Sequence, residues 1–202
     1  MAALIAAAGA PDFPAEIALV LSNCPDAPGL AKAQAAGIAV AAVDHRIYGG
    51  REAFERSMQI VLETWRIEFV CLAGFMRLLT PWFIDQWRGR MLNIHPALLP
   101  AYRGLHTHAR VLADGVKIHG CTVHFVVPEM DEGPIVAQAA VRVLDDDTPE
   151  TLGARVLAQE HRLYPHALRL VAGGVVRVQG NRVLGAPTDA DATLVAPPFG
   201  PT

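Results

Sequence analysis

Charge is scarce in this sequence, and no part of it is strongly basic. Lys and Arg number 17 against 20 Asp and Glu, giving 18% charged residues and a formal net charge of −3 over 202 residues. A surface dedicated to nucleic acid or anionic lipid needs clustered positive charge, so neither partner is expected. Long apolar runs are also absent: nothing approaches the roughly 18 residues needed to span a membrane. The opening MAALIAAAGAP is apolar but has no basic flank, unlike a secretory signal. Only three cysteines occur, Cys24, Cys71 and Cys121, far apart and in apolar runs such as FVCLAG. That pattern fits buried reduced thiols in a cytoplasmic protein better than disulfides or a metal centre. With 52% hydrophobic residues the chain can bury a substantial core without staples.

What is present alternates between two periods. Glu16–Ser22, Ile38–Val43, Phe69–Ala73, Met91–His95, Ile118–Val127 and Ile135–Leu144 read as strands, several of them nearly continuous apolar runs of the kind covered on both faces. Between them, Leu30–Ala36, Glu52–Trp65, Thr80–Trp87 and Thr107–Ala113 read as helices. A longer helix is expected from Thr148 to about Val171, bent at Pro165. Leu4, Ile5 and Ala8 give the opening segment helical spacing as well, with Gly9 and Pro11 as a stop. Gly180-Asn181 between two short strand-like runs predicts a terminal hairpin. The expectation is one α/β domain over residues 1–185, a doubly wound and mostly parallel sheet, followed by a flexible tail over 186–202 rich in Pro, Ala and Thr. Such sheets bind ligands beyond the carboxyl ends of their strands, so polar residues placed there carry the functional reading.

The densest such cluster is MLNIHPALLPAYRGLHTH, Met91–His108. Asn93 and His95 alternate with Leu92 and Ile94, so their side chains share one face of a strand end. An amide and an imidazole two residues apart can address one carbonyl oxygen, the first by donating a hydrogen bond, the second by donating a proton. A second cluster, VVPEMDEGP, takes a strand into an acidic turn containing Asp131. A carboxylate beside an imidazole favours its charged form and fixes its orientation, which makes Asp131 the candidate partner of His95. Alone, each has a plain alternative, a satisfied strand-end pair or a turn aspartate. His95, His106, His108, His119 and His124 lack an acidic or thiol residue at ligand spacing and any H-E-x-x-H, so no metal is expected.

Taken in order, N-x-H-P-x-L-L-P-x-x-x-G, H-G-x-T-V-H and D-E-G-P resemble the folate-dependent formyltransferase family. LAGFMRLL at Leu72–Leu79, GLHTH at Gly104–His108 and QEHRLYP at Gln159–Pro165 resemble its glycinamide ribonucleotide branch, and the likeness runs from Met1 to about Gly174. The resemblance implies formyl transfer from 10-formyltetrahydrofolate to the amine of glycinamide ribonucleotide in purine synthesis, without a metal. It implies His95 as proton donor, Asn93 as holder of the formyl oxygen, and Asp131 as the carboxylate that favours protonated His95. By the same resemblance Arg51, Met76, Arg77, Leu78 and Leu79 meet the folate, and Glu160 meets the ribonucleotide.

In the resembled family a strand and a Gly-Ser-Asn turn precede the helix that MAALIAAA matches. The chain is therefore expected to open in mid-fold, without the turn that holds phosphate and with two strands left unpaired on one side. Three rival readings follow. A deformylase of the same family would carry a further N-terminal domain and lack GLHTH. A methionyl-tRNA formyltransferase would add an RNA-binding domain and a more basic surface. A shortened chain could also bind folate without turning over.

Overall fold

The computed structural model describes residues 1–186; the expected tail lies, beyond Ala186, outside the described residues. Helix α1 (Ala2–Ala8) is followed by β1 (Val20–Ser22), α2 (Pro28–Ala35), β2 (Val40–Ala42), α3 (Arg51–Thr64), β3 (Val70–Leu72), α4 (Pro81–Gln86) and β4 (Met91–His95). Then come α5 (Thr107–Ala113), β5 (Ile118–Phe125), β6 (Ile135–Arg142), α6 (Pro149–Ala172), β7 (Arg177–Gln179) and β8 (Arg182–Leu184). The α/β class is as expected, with parallel pairing of β1 to β2 and of β3 to β4. Strands β5 and β6 extend one edge in antiparallel fashion, and β7–β8 form the terminal hairpin with Gly180 left-handed at its turn.

Helices and sheet make two cores, one on each face. Adjacent residues of β4 go to opposite sides: Leu92 packs with Leu4, Val111, Leu152, Val156 and Leu168, whereas Met91 packs with Phe54, Met58, Phe83 and Trp87. That alternation is the period of a strand covered on both faces. Helix α6 is the main brace. Thr148 and Thr151 cap it reciprocally, each hydroxyl accepting from the other's N–H. It continues without a break through Pro165 to Ala172. Tyr164, buried on α6, has its hydroxyl 2.9 Å from the Leu72 carbonyl and 3.0 Å from the Leu92 carbonyl, tying β3 to β4 from above.

The strands do not form one continuous ladder. Among the described residues, β1–β2 is one sheet and β3–β4–β5–β6 another, and each of β1 and β3 is paired on one side only. A slot of about 930 Å³ separates them. Strands β1 and β3 are accordingly half-buried rather than buried.

Candidate active site

The carboxyl end of β4 brings together three of the residues singled out in the sequence. Asn93 and His95 sit on β4, and register sets Asn93 opposite His124 and His95 opposite Thr122 on β5. Asp131 arrives from the β5–β6 turn with a left-handed backbone, φ 57°. Gly133 makes that turn possible, because a Cβ there would lie 1.8 Å from the Phe125 carbonyl oxygen. The Gly104 N–H donates to Asp131 Oδ2 at 2.9 Å, and an Arg103–Glu132 ion pair fastens the same turn to the loop after β4.

Asp131 faces two imidazoles. His95 Nδ1 is 3.5 Å from Oδ2, and His124 Nε2 is 3.8 Å from Oδ1, both longer than close hydrogen bonds. The carboxylate is only 11% exposed, so water screens these contacts little. His95 Nε2 lies 2.9 Å from the Tyr102 carbonyl. A carbonyl only accepts, so Nε2 carries a hydrogen and Nδ1 is the nitrogen left to exchange a proton beside Asp131.

His124 was placed on a strand by the sequence and given no role there. Its Nδ1–H donates to the Phe125 carbonyl at 2.9 Å, leaving Nε2 to accept from Asn93 Nδ2 at 3.3 Å. Burial lowers its pKa, against the raising effect of the Phe125 carbonyl and Asp131, which keeps the ring neutral and able to accept. One Asn93 N–H is thereby fixed, and the amide's orientation with it. The signal available in the sequence was polarity on a buried strand: Thr122 and His124 lie on the β5 face that pairs with His95 and Asn93. Thr122 donates to the Ala97 carbonyl and accepts from Leu99 N–H, shaping the loop that follows His95.

The residues expected to meet folate form a separate group around the β3–α4 loop and α3. Met76 and Leu78 are 76% and 63% exposed, while Phe75 and Leu79 turn inward onto the α3–α4 core. Arg77 lies over the Phe54 ring at 5.7 Å, and its Nε is buried without a partner. Buried Glu55 holds the end of the loop: Oε1 accepts from Thr80 N–H at 2.8 Å and Oε2 from the Thr80 hydroxyl. Arg51 is exposed at the first residue of α3. Glu160 stands elsewhere, on α6, where burial raises its pKa against the lowering charge of the Met1 amino group.

The expectation of three buried thiols holds for Cys121; Cys24 and Cys71 are half-buried, and all three are free. Among the described residues, no three His, Cys, Asp or Glu side chains are grouped to hold a metal ion, and no helix is long and apolar enough to cross a membrane.

An α/β frame thus carries an amide, an imidazole and a carboxylate together beyond β4. Residues 1–168 match the formyl transferase family, and the chain belongs to it. It is 43% identical over 162 residues to the phosphoribosylglycinamide formyltransferase of Escherichia coli K12, covering 80% of this chain and 76% of that protein. It is 49% identical over 176 residues to the trifunctional purine biosynthetic protein adenosine-3 of Gallus gallus, which covers 87% of this chain but only 18% of that much longer protein. The crystal structure of glycinamide ribonucleotide transformylase 1 from Symbiobacterium toebii superposes with a TM-score of 0.87 at 44% identity, covering 90% of this chain and 85% of that one.

Proposed function

We propose that the chain transfers the formyl group of 10-formyltetrahydrofolate to the amine of glycinamide ribonucleotide, a step of purine synthesis. One observation carries the reading: Asn93, His95 and Asp131 converge at the carboxyl end of β4 in a chain of the formyl transferase family. The neutral amine attacks the formyl carbon, a carbon–nitrogen bond forms, and the carbonyl oxygen becomes an oxyanion. The second N–H of Asn93 and the Nδ1 proton of His95 are suited to that charge. Collapse breaks the bond to folate N10, which takes up one proton while the product amide loses one. Asp131 steadies the imidazolium and so helps the proton pass from the amine to the departing nitrogen.

On the folate side, the exposed Met76 and Leu78 offer apolar cover for a flat pterin, and backbone groups of the same loop offer donors and acceptors. Arg77 is assigned to the same loop's contact with the folate, and Arg51, exposed at the start of α3, to the folate as well. Leu79 supports the loop from behind. Glu160 is assigned to the ribonucleotide. The reading includes a cytoplasmic location, which three free thiols favour.

The test is product analysis. Purified protein is given 10-formyltetrahydrofolate with and without glycinamide ribonucleotide. The reading predicts formylated ribonucleotide and tetrahydrofolate in equal amounts, only when both substrates are present. Formate released without the ribonucleotide would mean that water is the acceptor and that the chain is a deformylase. Folate binding with neither product would mean a binding protein.

A further inference from the structure

We propose that Thr122 and Gln138 are positioning residues for the reaction, acting on His95 through the loop that follows it and fixing which ring nitrogen carries the hydrogen. Their effect on rate rests on the formyl-transfer reading; their effect on the ring rests on geometry alone. Register lines up three polar side chains across the sheet. His95 on β4 is opposite Thr122 on β5, and Thr122 is opposite Gln138 on β6. Directly opposed residues point to the same face. The row therefore runs from the buried imidazole, through a threonine with no exposed surface, out to an exposed glutamine on the edge strand.

The Thr122 hydroxyl is fully used. It donates to the Ala97 carbonyl at 2.7 Å and accepts from the Leu99 N–H at 3.0 Å and from Gln138 Nε2 at 2.9 Å, which exhausts its hydrogen and both lone pairs. The other hydrogen of Gln138 Nε2 goes to the Leu99 carbonyl, also at 2.9 Å. The loop's own backbone bonds, Ala97 N–H to His95 O and Ala101 N–H to Leu98 O, are local, so they shape the turn without setting where it lies on the sheet. Gly120 leaves room for it there, since a Cβ would stand 2.9 Å from Leu98 Cδ2. Further along, the loop delivers the Tyr102 carbonyl to His95 Nε2 at 2.9 Å. Tyr102 has a left-handed backbone, φ 55°, which a non-glycine residue keeps only when its surroundings over-determine it. Beyond Tyr102 the hold is the Gly104 N–H on Asp131; before it, the hold is Thr122 and Gln138. Releasing the earlier hold frees the carbonyl, and a neutral His95 then places its hydrogen on either nitrogen. Only the Nε2–H form leaves Nδ1 bare beside Asp131 to take up and return a proton.

The experiment records ring-nitrogen NMR of His95 in the whole chain, at a pH where the imidazole is neutral, together with steady-state kinetics. The unaltered chain is expected to show two well-separated signals, Nε2 as N–H and Nδ1 bare. Thr122→Val keeps the shape of the side chain without its hydroxyl. It should draw the two signals together as the tautomers mix, and lower kcat by about 10–100-fold with folate affinity unchanged. Thr122→Ser returns the hydroxyl and should restore both. Gln138→Met, on the exposed edge strand, should give the same change to a smaller degree, and decides alone if Thr122→Val does not fold. Ring signals unchanged in folded Thr122→Val or in Gln138→Met would overturn the proposal, whatever the rate, and so would Thr122→Ser behaving like Thr122→Val. Failure of the unaltered chain to transfer formyl would strike the function instead, and the ring signals would still decide the positioning role.

Discussion

Asn93 has one amide hydrogen committed to His124, and the value of that commitment can be measured. Replacing His124 by Phe removes the acceptor and lets the amide turn. Formyl transfer should slow by about tenfold, the equivalent of one net hydrogen bond of 1–1.5 kcal/mol. His124→Gln returns an acceptor and should recover part of the loss, whereas a purely packing role would be better served by Phe. Steady-state kinetics of both variants decide between these. Asn93, His95 and Asp131 were legible in the sequence because each stands at an element's end within a motif. His124 was not, because its partner is 31 residues away and only the β4–β5 register reveals it.

Helices were read closely because capping residues and a repeating apolar stripe are local properties. Thr107–Ala113 agrees at both ends, and α3 differs by one residue at each. Strand lengths depend on partners that no local pattern contains. The apolar run Glu16–Ser22 reads as seven strand residues, yet only Val20–Ser22 is paired, since β1 has a neighbour on one side alone. The same shortfall affects β3, where Val70–Leu72 replaces Phe69–Ala73. Helix α6 continues through Pro165, with Leu163, Tyr164, Ala167 and Leu168 buried around it. Tyr164 is the element-scale test. Tyr164→Phe keeps the ring but leaves the carbonyls of Leu72 and Leu92 without their shared donor, and should lower unfolding stability by about 1–2 kcal/mol in urea titrations. An unchanged midpoint would mean that the hydroxyl does not tie β3 to β4.

At the scale of the whole molecule, buried His119 and His124 and half-buried His108 make stability depend on pH. Burial, aided by the charges of His108 and His95, lowers the pKa of His119 to about 4, and burial lowers His108 and His124 as well. The unfolded chain binds these protons near pH 6.5, the folded one only lower. Stability from His119 is therefore complete above about pH 6.5 and is lost as pH falls toward 4, by up to about 3 kcal/mol. Urea unfolding between pH 7 and 4.5 should show this slope, and His119→Gln should flatten it; equal slopes would remove His119 as the cause. The central claim concerns His95, and one comparison tests it most directly. Formyl transfer by the His95→Ala variant is measured alongside its binding of 10-formyltetrahydrofolate. The proton-donor role predicts a rate lower by about 10²–10⁴ with folate affinity unchanged. Near-normal turnover with intact folate binding would contradict it.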